Sequence, residues 1–158
     1  MCTWVSRKAW GSEVTSSSGL RRWTTELPAD DAARISEGVT RHGRAQAPGG
    51  QAQAIACGLY EDGHLIAGAL GRTEFKRLFV NYLWVDEDWR GGGLGTELLR
   101  QLEAQALRRG CLDALIETLS DRTARWYEQL GYAMMAHVHD YIPGFTRYIL
   151  IKVWKPRD

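Results

Sequence analysis

One stretch of the sequence decides the fold: Val85-Asp86-Glu87-Asp88-Trp89-Arg90-Gly91-Gly92-Gly93-Leu94-Gly95-Thr96. It joins the end of an apolar strand to a glycine-dense turn that opens an amphipathic helix. Glycines allow several backbone N–H groups to converge on one point without obstruction by a Cβ atom. The helix start adds unsatisfied N–H donors and roughly half a positive charge from the helix dipole. This turn is therefore predicted to bind an anion, and its ligand is predicted to carry phosphate.

Two common kinds of phosphate loop fit the stretch poorly. A nucleoside-triphosphatase loop ends in Gly-Lys-Ser/Thr, whereas Thr and Glu follow the last glycine here. A dinucleotide fingerprint would use Gly93 and Gly95, with Glu117 at about the distance of a ribose-binding acid. Its third glycine position is Leu98, however, and a charged pentapeptide separates the strand from the glycines. Dinucleotide binding therefore remains as the weaker alternative.

A third pattern, Arg/Gln-x-x-Gly-x-Gly/Ala, matches Arg90-Gly91-Gly92-Gly93-Leu94-Gly95. This turn resembles the acetyl-CoA pyrophosphate loop of the GNAT superfamily of acyl-CoA N-acyltransferases. A second segment, Trp126-Tyr127-Glu128-Gln129-Leu130-Gly131-Tyr132, resembles that superfamily's (F/L)-Y-x-x-x-G-(F/Y) motif at the expected spacing. The similarity extends from about Leu20 to Trp154. Its last part, Asp140 to Tyr148, resembles the ending of a bacterial branch whose acceptors are mostly unassigned.

Composition places the chain among ordinary globular proteins. Its 158 residues suit one domain, 44% of them are hydrophobic and 25% charged, and the net charge is +1. No global field therefore recruits nucleic acid or a membrane. The three cysteines are odd in number and widely spaced, which favours reduced thiols in the cytoplasm, and neither a secretory signal nor a membrane span is evident. Residues 1–19 are predicted to be a flexible or docking extension, and residues 20–158 the GNAT domain.

Hydrophobic periodicity and turn residues predict the order β-α-β-β-β-α-β-α-β-β. The predicted strands are 20–25, 53–60, 64–73, 77–85, 112–118, 132–139 and 146–154; the predicted helices run from Asp30 to about 42, and over 94–109 and 121–130. Residues 43–51 are predicted to be a polar loop, which the resemblance associates with the acceptor site. The predicted fold class is α/β (α+β). It is a single-domain GNAT fold, with a mixed central sheet of about seven strands flanked by helices and splayed between the fourth and fifth strands.

The resemblance also implies how acetyl-CoA is held. The backbone of Leu83, Trp84 and Val85 bonds the pantetheine amides, because diverging strands leave unpaired peptide groups there. Backbone amides from Gly91 through Gly92, Gly93, Leu94 and Gly95 to Thr96 hold the pyrophosphate, with Arg90 as a charged helper. Ser120 stands where many members have Asn at the start of the next helix. A serine still caps the helix and reaches a pantetheine amide, with one hydrogen-bonding group fewer.

Two side chains are candidates for catalysis. Tyr127 occupies the family's position for a group that protonates or stabilises the departing thiolate, although its helical spacing also suits packing against the sheet. Glu117, at the end of a strand facing the predicted cleft, is the candidate base or water-orienting group. His137 and His139 share one face of a strand, but two residues are too few for a metal site, and no metal is predicted.

The predicted function is an acetyl-CoA-dependent N-acetyltransferase that transfers an acetyl group to a primary amine of a small molecule or peptide. The amine is expected to attack directly in a ternary complex. A non-catalytic acyl-CoA-binding or sensor module is the alternative of a different class. Tyr82, Trp84 and Tyr141 lie near the expected cleft and would stack on a planar or cationic amine, although core packing explains them equally well. The resemblance implies a homodimer, with neither nucleic acid nor membrane as a partner.

Overall fold

The computed structural model of the protein describes residues 15–16, 19–20, 22–46 and 50–155. The chain divides into two compact units, residues 1–43 and 44–158. Most of the predicted extension, and Pro48-Gly49 of the predicted polar loop, lie outside the described residues. The assignment of residues 1–19 to an extension therefore stays a prediction.

The first unit differs from the sequence prediction at its strand and its helix cap. Strands β1 (Thr15–Ser16) and β2 (Gly19–Leu20) form a short antiparallel pair. The predicted strand over residues 20–25 is wrong at residues 22–25, because the Thr24 hydroxyl bonds both the carbonyl and the N–H of Glu26 and so stabilises a turn. Helix α1 spans Ala29–Gln46 and begins before Asp30, so Asp30 lies in its first turn rather than at its cap.

The second unit is built on one mixed sheet. Its strands are β3 (Gln53–Glu61), β4 (His64–Glu74), β5 (Arg77–Val85), β6 (Asp113–Thr118), β7 (Ala133–Ile142) and β8 (Phe145–Val153), in the order β3-β4-β5-β6-β8-β7. Only β5 and β6 are parallel, since the helix between them returns the chain to the same end of the sheet. The predicted α/β fold with a mixed sheet and flanking helices is confirmed. The sheet has six strands rather than about seven, because the first predicted strand is absent.

Helices α2 (Leu94–Arg108) and α3 (Asp121–Gln129) cover the same face of this sheet. The inner face of α2 carries Leu98, Leu99 and Leu102, which pack in one core with Leu78 of β5 and Leu150 of β8. The chain after β5 forms a single turn of 3-10 helix, Glu87–Trp89, which Asp86 caps by accepting from the Asp88 N–H at 3.1 Å. The core therefore holds the glycine turn between a central strand and the start of α2.

Strands β5 and β6 diverge, as predicted for the fourth and fifth strands. Their ladder pairs Arg77 with Asp113 and ends where Val80 pairs with Ile116. At the closed end the Arg77 guanidinium bonds both oxygens of Asp113, with Nε–Oδ1 2.5 Å and Nη2–Oδ2 3.0 Å. That interaction, chiefly its hydrogen bonds, raises the pKa of Arg77. An ionised bidentate pair thus fixes one end of a V whose other end is open.

A β-bulge lies at the point of divergence. On the β4 side, Gly71 pairs with Val80 and Leu70 pairs with Tyr82, so Asn81 is an extra residue in β5. A bulge bends its strand and increases the local twist, which turns β5 away from β6. A Cβ atom at Gly71 would lie 2.4 Å from the Phe79 carbonyl oxygen, so the bulge requires glycine there.

Candidate active site

The glycine turn has the backbone geometry that its sequence predicts. Gly91 and Gly93 have φ angles of +85° and +84°, a region that side chains disfavour, and a Cβ built on either would meet nothing within 4 Å. The space in front of the turn is therefore open. Gly95 is different, because its Cβ would lie 3.5 Å from the Trp126 ring and 3.6 Å from the Leu83 side chain. It packs the start of α2 closely against α3 and β5.

Unpaired N–H groups point out of the start of α2. Gly93 is the N-cap and provides no side-chain cap, and the Glu97 N–H is the one that bonds back to the Gly93 carbonyl, at 3.1 Å. The N–H groups of Leu94, Gly95 and Thr96 precede it in the first turn, where a helix has no carbonyl to offer them. Open left-handed glycines and these donors fit a phosphate group.

Arg90 is held against the backbone at the end of β5. Its Nε donates to the Val85 carbonyl at 3.0 Å, and its Nη1 lies 3.4 Å from Glu87 Oε1. The guanidinium therefore stabilises the turn and uses the Val85 carbonyl. Its role as a charged helper for pyrophosphate stays a prediction. That role would use the guanidinium N–H groups that do not bond Val85 or Glu87.

A cleft of about 410 Å³ opens where β5 and β6 separate. Its walls come from β4, β5, β6, β7 and β8 and from the residue after β6, and they consist of Arg72, Phe79, Val80, Asn81, Leu115, Glu117, Thr118, Leu119, Tyr141 and Arg147. Ala114 and Ile116 of β6 are buried under the helices, so strand alternation places Leu115 and Glu117 on the opposite face. The cleft thus opens mainly on the sheet face away from α2 and α3.

The predicted base, Glu117, lies in this cleft and is paired. Its Oε2 accepts a hydrogen bond from Arg147 Nη2, and both side chains are about one-third exposed. The Arg147 guanidinium also stacks 4.6 Å above the Tyr141 ring. The carboxylate is therefore held in a defined orientation by a residue of β8, the strand next to β6 in the sheet.

The other predicted catalytic residue, Tyr127, lies on the helix side of the sheet. Ser120 caps α3, since its hydroxyl accepts from the Thr123 N–H at 3.2 Å. The Tyr127 ring is 5% exposed and packs against Trp126 and Tyr132, with ring centroids 4.9 and 5.8 Å away. Burial raises the pKa of Tyr127 to about 12. Its hydroxyl has no hydrogen-bond partner among the described residues. Every fully buried side-chain oxygen of those residues does have a partner, so the Tyr127 hydroxyl is not fully buried and lies at an accessible edge of the core.

A buried polar network next to Tyr127 was not anticipated from the sequence. Glu103 of α2, 8% exposed, accepts from the Tyr132 hydroxyl and from Lys152 Nζ of β8, both at 2.8 Å. Burial, followed by the Glu103 charge and hydrogen bond, raises the pKa of Tyr132. The network links α2, the end of α3 and β8, and so fixes the packing around the Tyr127 ring.

The two histidines of β7, His137 and His139, contact each other. Their rings lie 4.8 Å apart edge to face, and His139 Nδ1 is 3.3 Å from the Thr146 hydroxyl. In the part of the chain that the structure describes, no group of three or more His, Cys, Asp or Glu residues is arranged to hold a metal ion.

Cys57 donates its thiol to the Leu98 carbonyl at 3.4 Å, and burial raises the pKa of this thiol, so it is a packed thiol rather than a nucleophile.

Comparison with known families decides the assignment. The profile of the Acetyltransferase (GNAT) family matches residues 20–132. The chain belongs to the GNAT family of acetyltransferases. This GNAT chain is 39% identical over 98 residues to blasticidin-S acetyltransferase of Streptomyces morookaense, a match that covers 61% of this chain and 71% of that protein. Other curated acetyltransferases match over about half of their own length.

Solved structures agree on the GNAT fold. An acetyltransferase of Bacillus cereus superposes with a TM-score of 0.79 at 23% identity, over 84% of this chain and 97% of that one. Naa50 of Arabidopsis thaliana, solved with a bisubstrate analogue of CoA and a peptide, has a TM-score of 0.54 at 18% identity, over 61% and 71% of the two chains. The family assignment makes acetyl-CoA the acyl donor and does not support dinucleotide binding. No helix among the described residues is long and apolar enough to cross a membrane.

The structure places the predicted cofactor-binding residues 83–96 in one stretch and Glu117 in the cleft, while Tyr127 lies on the helix-covered face of the sheet. The turn from Arg90 to Thr96 follows β5 directly, and Leu83 lies against Gly95. Arg72, Asn81 and Arg147 were missed. The bulge at Asn81 has a signal in the sequence, because the buried positions 78 and 80 are followed by the core-facing positions 83 and 85, which breaks the alternation. Arg72 has no local signal, since only strand pairing places it in the cleft. Arg147 belongs to the segment from Asp140 to Tyr148 that resembles a bacterial branch, but no role was predicted for it.

Proposed function

We propose that this GNAT chain is an N-acetyltransferase that transfers an acetyl group from acetyl-CoA to a primary amine of a small molecule or peptide, by direct attack in a ternary complex. The observation that carries the proposal is the end of the β5–β6 ladder at Val80 and Ile116. Beyond it, one edge of β5 faces a cleft that contains a fixed carboxylate. Such an edge offers unpaired peptide groups to an extended polyamide ligand.

Acetyl-CoA supplies the acetyl group as a thioester, and the residues of this chain hold and orient the reactants. The N–H groups from Gly91 to Thr96 hold the pyrophosphate, and the backbone from Leu83 to Val85 holds the pantetheine. Ser120 lies at the start of α3, where its hydroxyl caps the helix. In the overall transfer the amine nitrogen forms a bond to the acetyl carbon and loses one proton. The carbon–sulfur bond breaks and the sulfur gains one proton.

Glu117 and Tyr127 are assigned to the two proton positions. Arg147 holds Oε2 of Glu117, which leaves Oε1 to accept a hydrogen bond from the amine or from a water that takes its proton. With its pKa at about 12, the Tyr127 phenol stays protonated at neutral pH and serves as a donor. Because an ordinary thiol has a pKa roughly three units lower, the phenol stabilises the sulfur mainly by hydrogen bonding.

The finer identity of the acceptor is a further part of the proposal. The relative from Streptomyces morookaense carries the name blasticidin-S acetyltransferase, so blasticidin S belongs in any set of test amines. We also propose that the chain forms a homodimer in the cytoplasm, on the family resemblance. Light scattering on the purified protein measures the number of chains in the particle.

An amine panel with release of free CoA as the readout tests the function. We expect at least one amine to be acetylated, and Glu117→Gln to lower kcat/KM by more than about 10-fold, as for loss of a positioned base. Binding of acetyl-CoA is expected to be unchanged. Glu128→Gln is the matched control, because Glu128 is an exposed carboxylate on α3 outside the cleft.

The non-catalytic alternative gives a different result. A binding or sensor module would show a thermal shift with acetyl-CoA and no CoA release with any amine. Normal kcat/KM in Glu117→Gln would remove Glu117 from the mechanism and leave deprotonation to solvent.

A further inference from the structure

Two guanidinium groups lie in the wall of the cleft between β5 and β6. Its ionised lining residues are Arg72, Arg147 and Glu117, which is two guanidinium groups for one carboxylate. The carboxylate is already paired with Arg147. Arg72 is paired through its Nε with Glu74, which does not line the cleft, so its Nη groups are left for an acceptor that brings a negative charge of its own.

Arg72 is placed to receive that negative charge. Its guanidinium stacks 4.1 Å above the Phe79 ring, and its Nε lies 3.3 Å from Glu74 Oε2. Within the described residues, its two Nη nitrogens have no hydrogen-bond partner. Stacking holds a planar guanidinium in one orientation, and its two Nη groups form one of the edges that bind a carboxylate. Arg72 is therefore an oriented donor at the wall of the cleft.

The strand order sets the distance between this donor and Glu117. Because the Arg72 guanidinium lies over Phe79, it is displaced from β4 onto β5. Phe79 pairs with Leu115 of β6, and Glu117 is two residues further along the same strand and face. Paired strands are about 4.8 Å apart and a strand rises about 3.3 Å per residue, so the backbone positions of Phe79 and Glu117 are roughly 8 Å apart. An acceptor whose amine and anionic group are separated by a few bonds spans this distance when each group makes a hydrogen bond of about 2.9 Å.

We propose that the acceptor is an amine that carries a carboxylate close to it, as a free amino acid does, and that Arg72 is the residue that selects for the carboxylate. This inference rests on the proposed acetyltransferase function. The acceptor carboxylate binds the Nη edge of Arg72, and its amine faces Glu117. Arg147, stacked on Tyr141, keeps Glu117 oriented towards the amine.

Matched acceptors and matched variants test the inference. Each common amino acid is assayed as the free acid and as its primary amide, with CoA release as the readout, in the wild-type protein, Arg72→Gln and Arg108→Gln. Arg108 is an exposed arginine in the last turn of α2, so its change removes the same charge outside the cleft. The amide has the more readily deprotonated amine, so a preference for the acid cannot arise from amine basicity.

For the acids that serve as substrates, we expect wild-type kcat/KM to exceed that of the amide by about 10-fold or more, the range of a charge-assisted hydrogen bond. In Arg72→Gln this ratio falls towards one, because kcat/KM for the acid decreases while that for the amide and the KM for acetyl-CoA do not change. Arg108→Gln keeps the wild-type ratio. Arg72→Lys keeps the positive charge but loses the paired N–H donors of the guanidinium, and it is expected to give an intermediate ratio. This variant replaces Arg72→Gln in the test if Arg72→Gln does not fold.

A ratio near one in the wild-type protein overturns the inference and favours a peptide or a simple amine as acceptor. A wild-type ratio that persists in Arg72→Gln assigns the selectivity to another residue and overturns the role of Arg72. Absence of CoA release with every acid and amide, while another amine of the panel does release CoA, overturns the inference alone. Absence of release with the whole panel, together with binding of acetyl-CoA, overturns the proposed function as well. The failures of the two proposals are thereby distinguished.

Discussion

At the scale of single residues, Tyr127 combines a structural and a chemical role in one side chain. Its ring fills the core between Trp126 and Tyr132, which explains its burial. Its hydroxyl makes no bond to another described residue, although a buried phenol usually has a partner. The structure therefore leaves the hydroxyl available to a ligand, while packing alone would be satisfied by phenylalanine.

Tyr127→Phe separates these roles, because it keeps the ring and removes one oxygen atom. We expect kcat to fall by about 10- to 100-fold, the effect of losing a hydrogen bond to a developing charge. The KM for acetyl-CoA and the melting temperature are expected to change little. Steady-state kinetics beside a thermal melt make the comparison. Near-normal turnover in a folded variant would leave Tyr127 with a packing role alone.

At the scale of elements, the turn after β5 and the bulge within β5 form the two halves of the site. The turn exposes donors at the start of α2, while the bulge at Asn81 directs β5 away from β6. Each depends on a glycine, for a different reason. Gly93 needs its positive φ. At Gly71, a Cβ atom would lie 2.4 Å from the Phe79 carbonyl oxygen, which is too close for any side chain.

Gly93→Val is expected to abolish the stabilisation that acetyl-CoA gives to the native protein, because the side chain blocks the open space in front of the turn and disfavours its backbone conformation. A ligand at 100 times its Kd stabilises the fold by about 2.7 kcal/mol, so the wild-type thermal shift is readily measured. Thermal melts with and without acetyl-CoA check the result.

Gly110→Val is the control for this experiment. Gly110 has a φ of +80° and open surroundings, and it lies at the opposite end of α2. Its substitution has the same backbone cost without touching the turn, so the thermal shift with acetyl-CoA is expected to persist. Equal thermal shifts in Gly93→Val and the wild-type protein would show that the pyrophosphate binds elsewhere.

At the scale of the whole second unit, one core couples the sheet to both helices. The Arg77–Asp113 pair fixes the closed end of the V, and the Tyr132–Glu103–Lys152 network joins α2 to β8. Two tyrosines of this core have raised pKa values. The stability of the whole unit therefore depends on pH in the alkaline range.

The free energy of unfolding is expected to fall as pH rises above about 10. Below the pKa of about 10 that tyrosine has in the unfolded chain, the Tyr127 hydroxyl is protonated in the folded and the unfolded state. Its contribution to the free energy of unfolding is then complete. Between pH 10 and the folded pKa of about 12, the unfolded chain alone releases the proton, which favours unfolding by up to about 2 to 3 kcal/mol. Urea unfolding at pH 8 to 11 measures this loss.

Tyr127→Phe removes this part of the pH dependence, so its stability is expected to decline less steeply than that of the wild-type protein. Tyr60→Phe, at an exposed position, is expected to follow the wild-type curve. Parallel curves for Tyr127→Phe and the wild-type protein would mean that the Tyr127 hydroxyl is hydrated in the folded state.

The features that the sequence determined by itself are local ones. The turn from Arg90 to Thr96, the amphipathic face of α2 and the apolar strand Arg77–Val85 depend on residues close together in the chain, and the structure has them at or near the predicted bounds. Glycine conformation and helical periodicity act over a few residues, so a sequence displays them directly. The strand predicted at residues 20–25 failed because the Thr24 side chain offered its neighbours a competing turn.

Only the tertiary structure decided the composition of the acceptor cleft. Arg72, Glu117 and Arg147 belong to three strands, and the pairing of those strands brings together residues that are 75 positions apart in the chain. A shift of one residue in any of those registers would move the side chain to the opposite face of the sheet. The charge of the cleft, and with it the proposed choice of acceptor, is therefore a property of the strand registers and the bulge at Asn81, which no short stretch of the sequence contains.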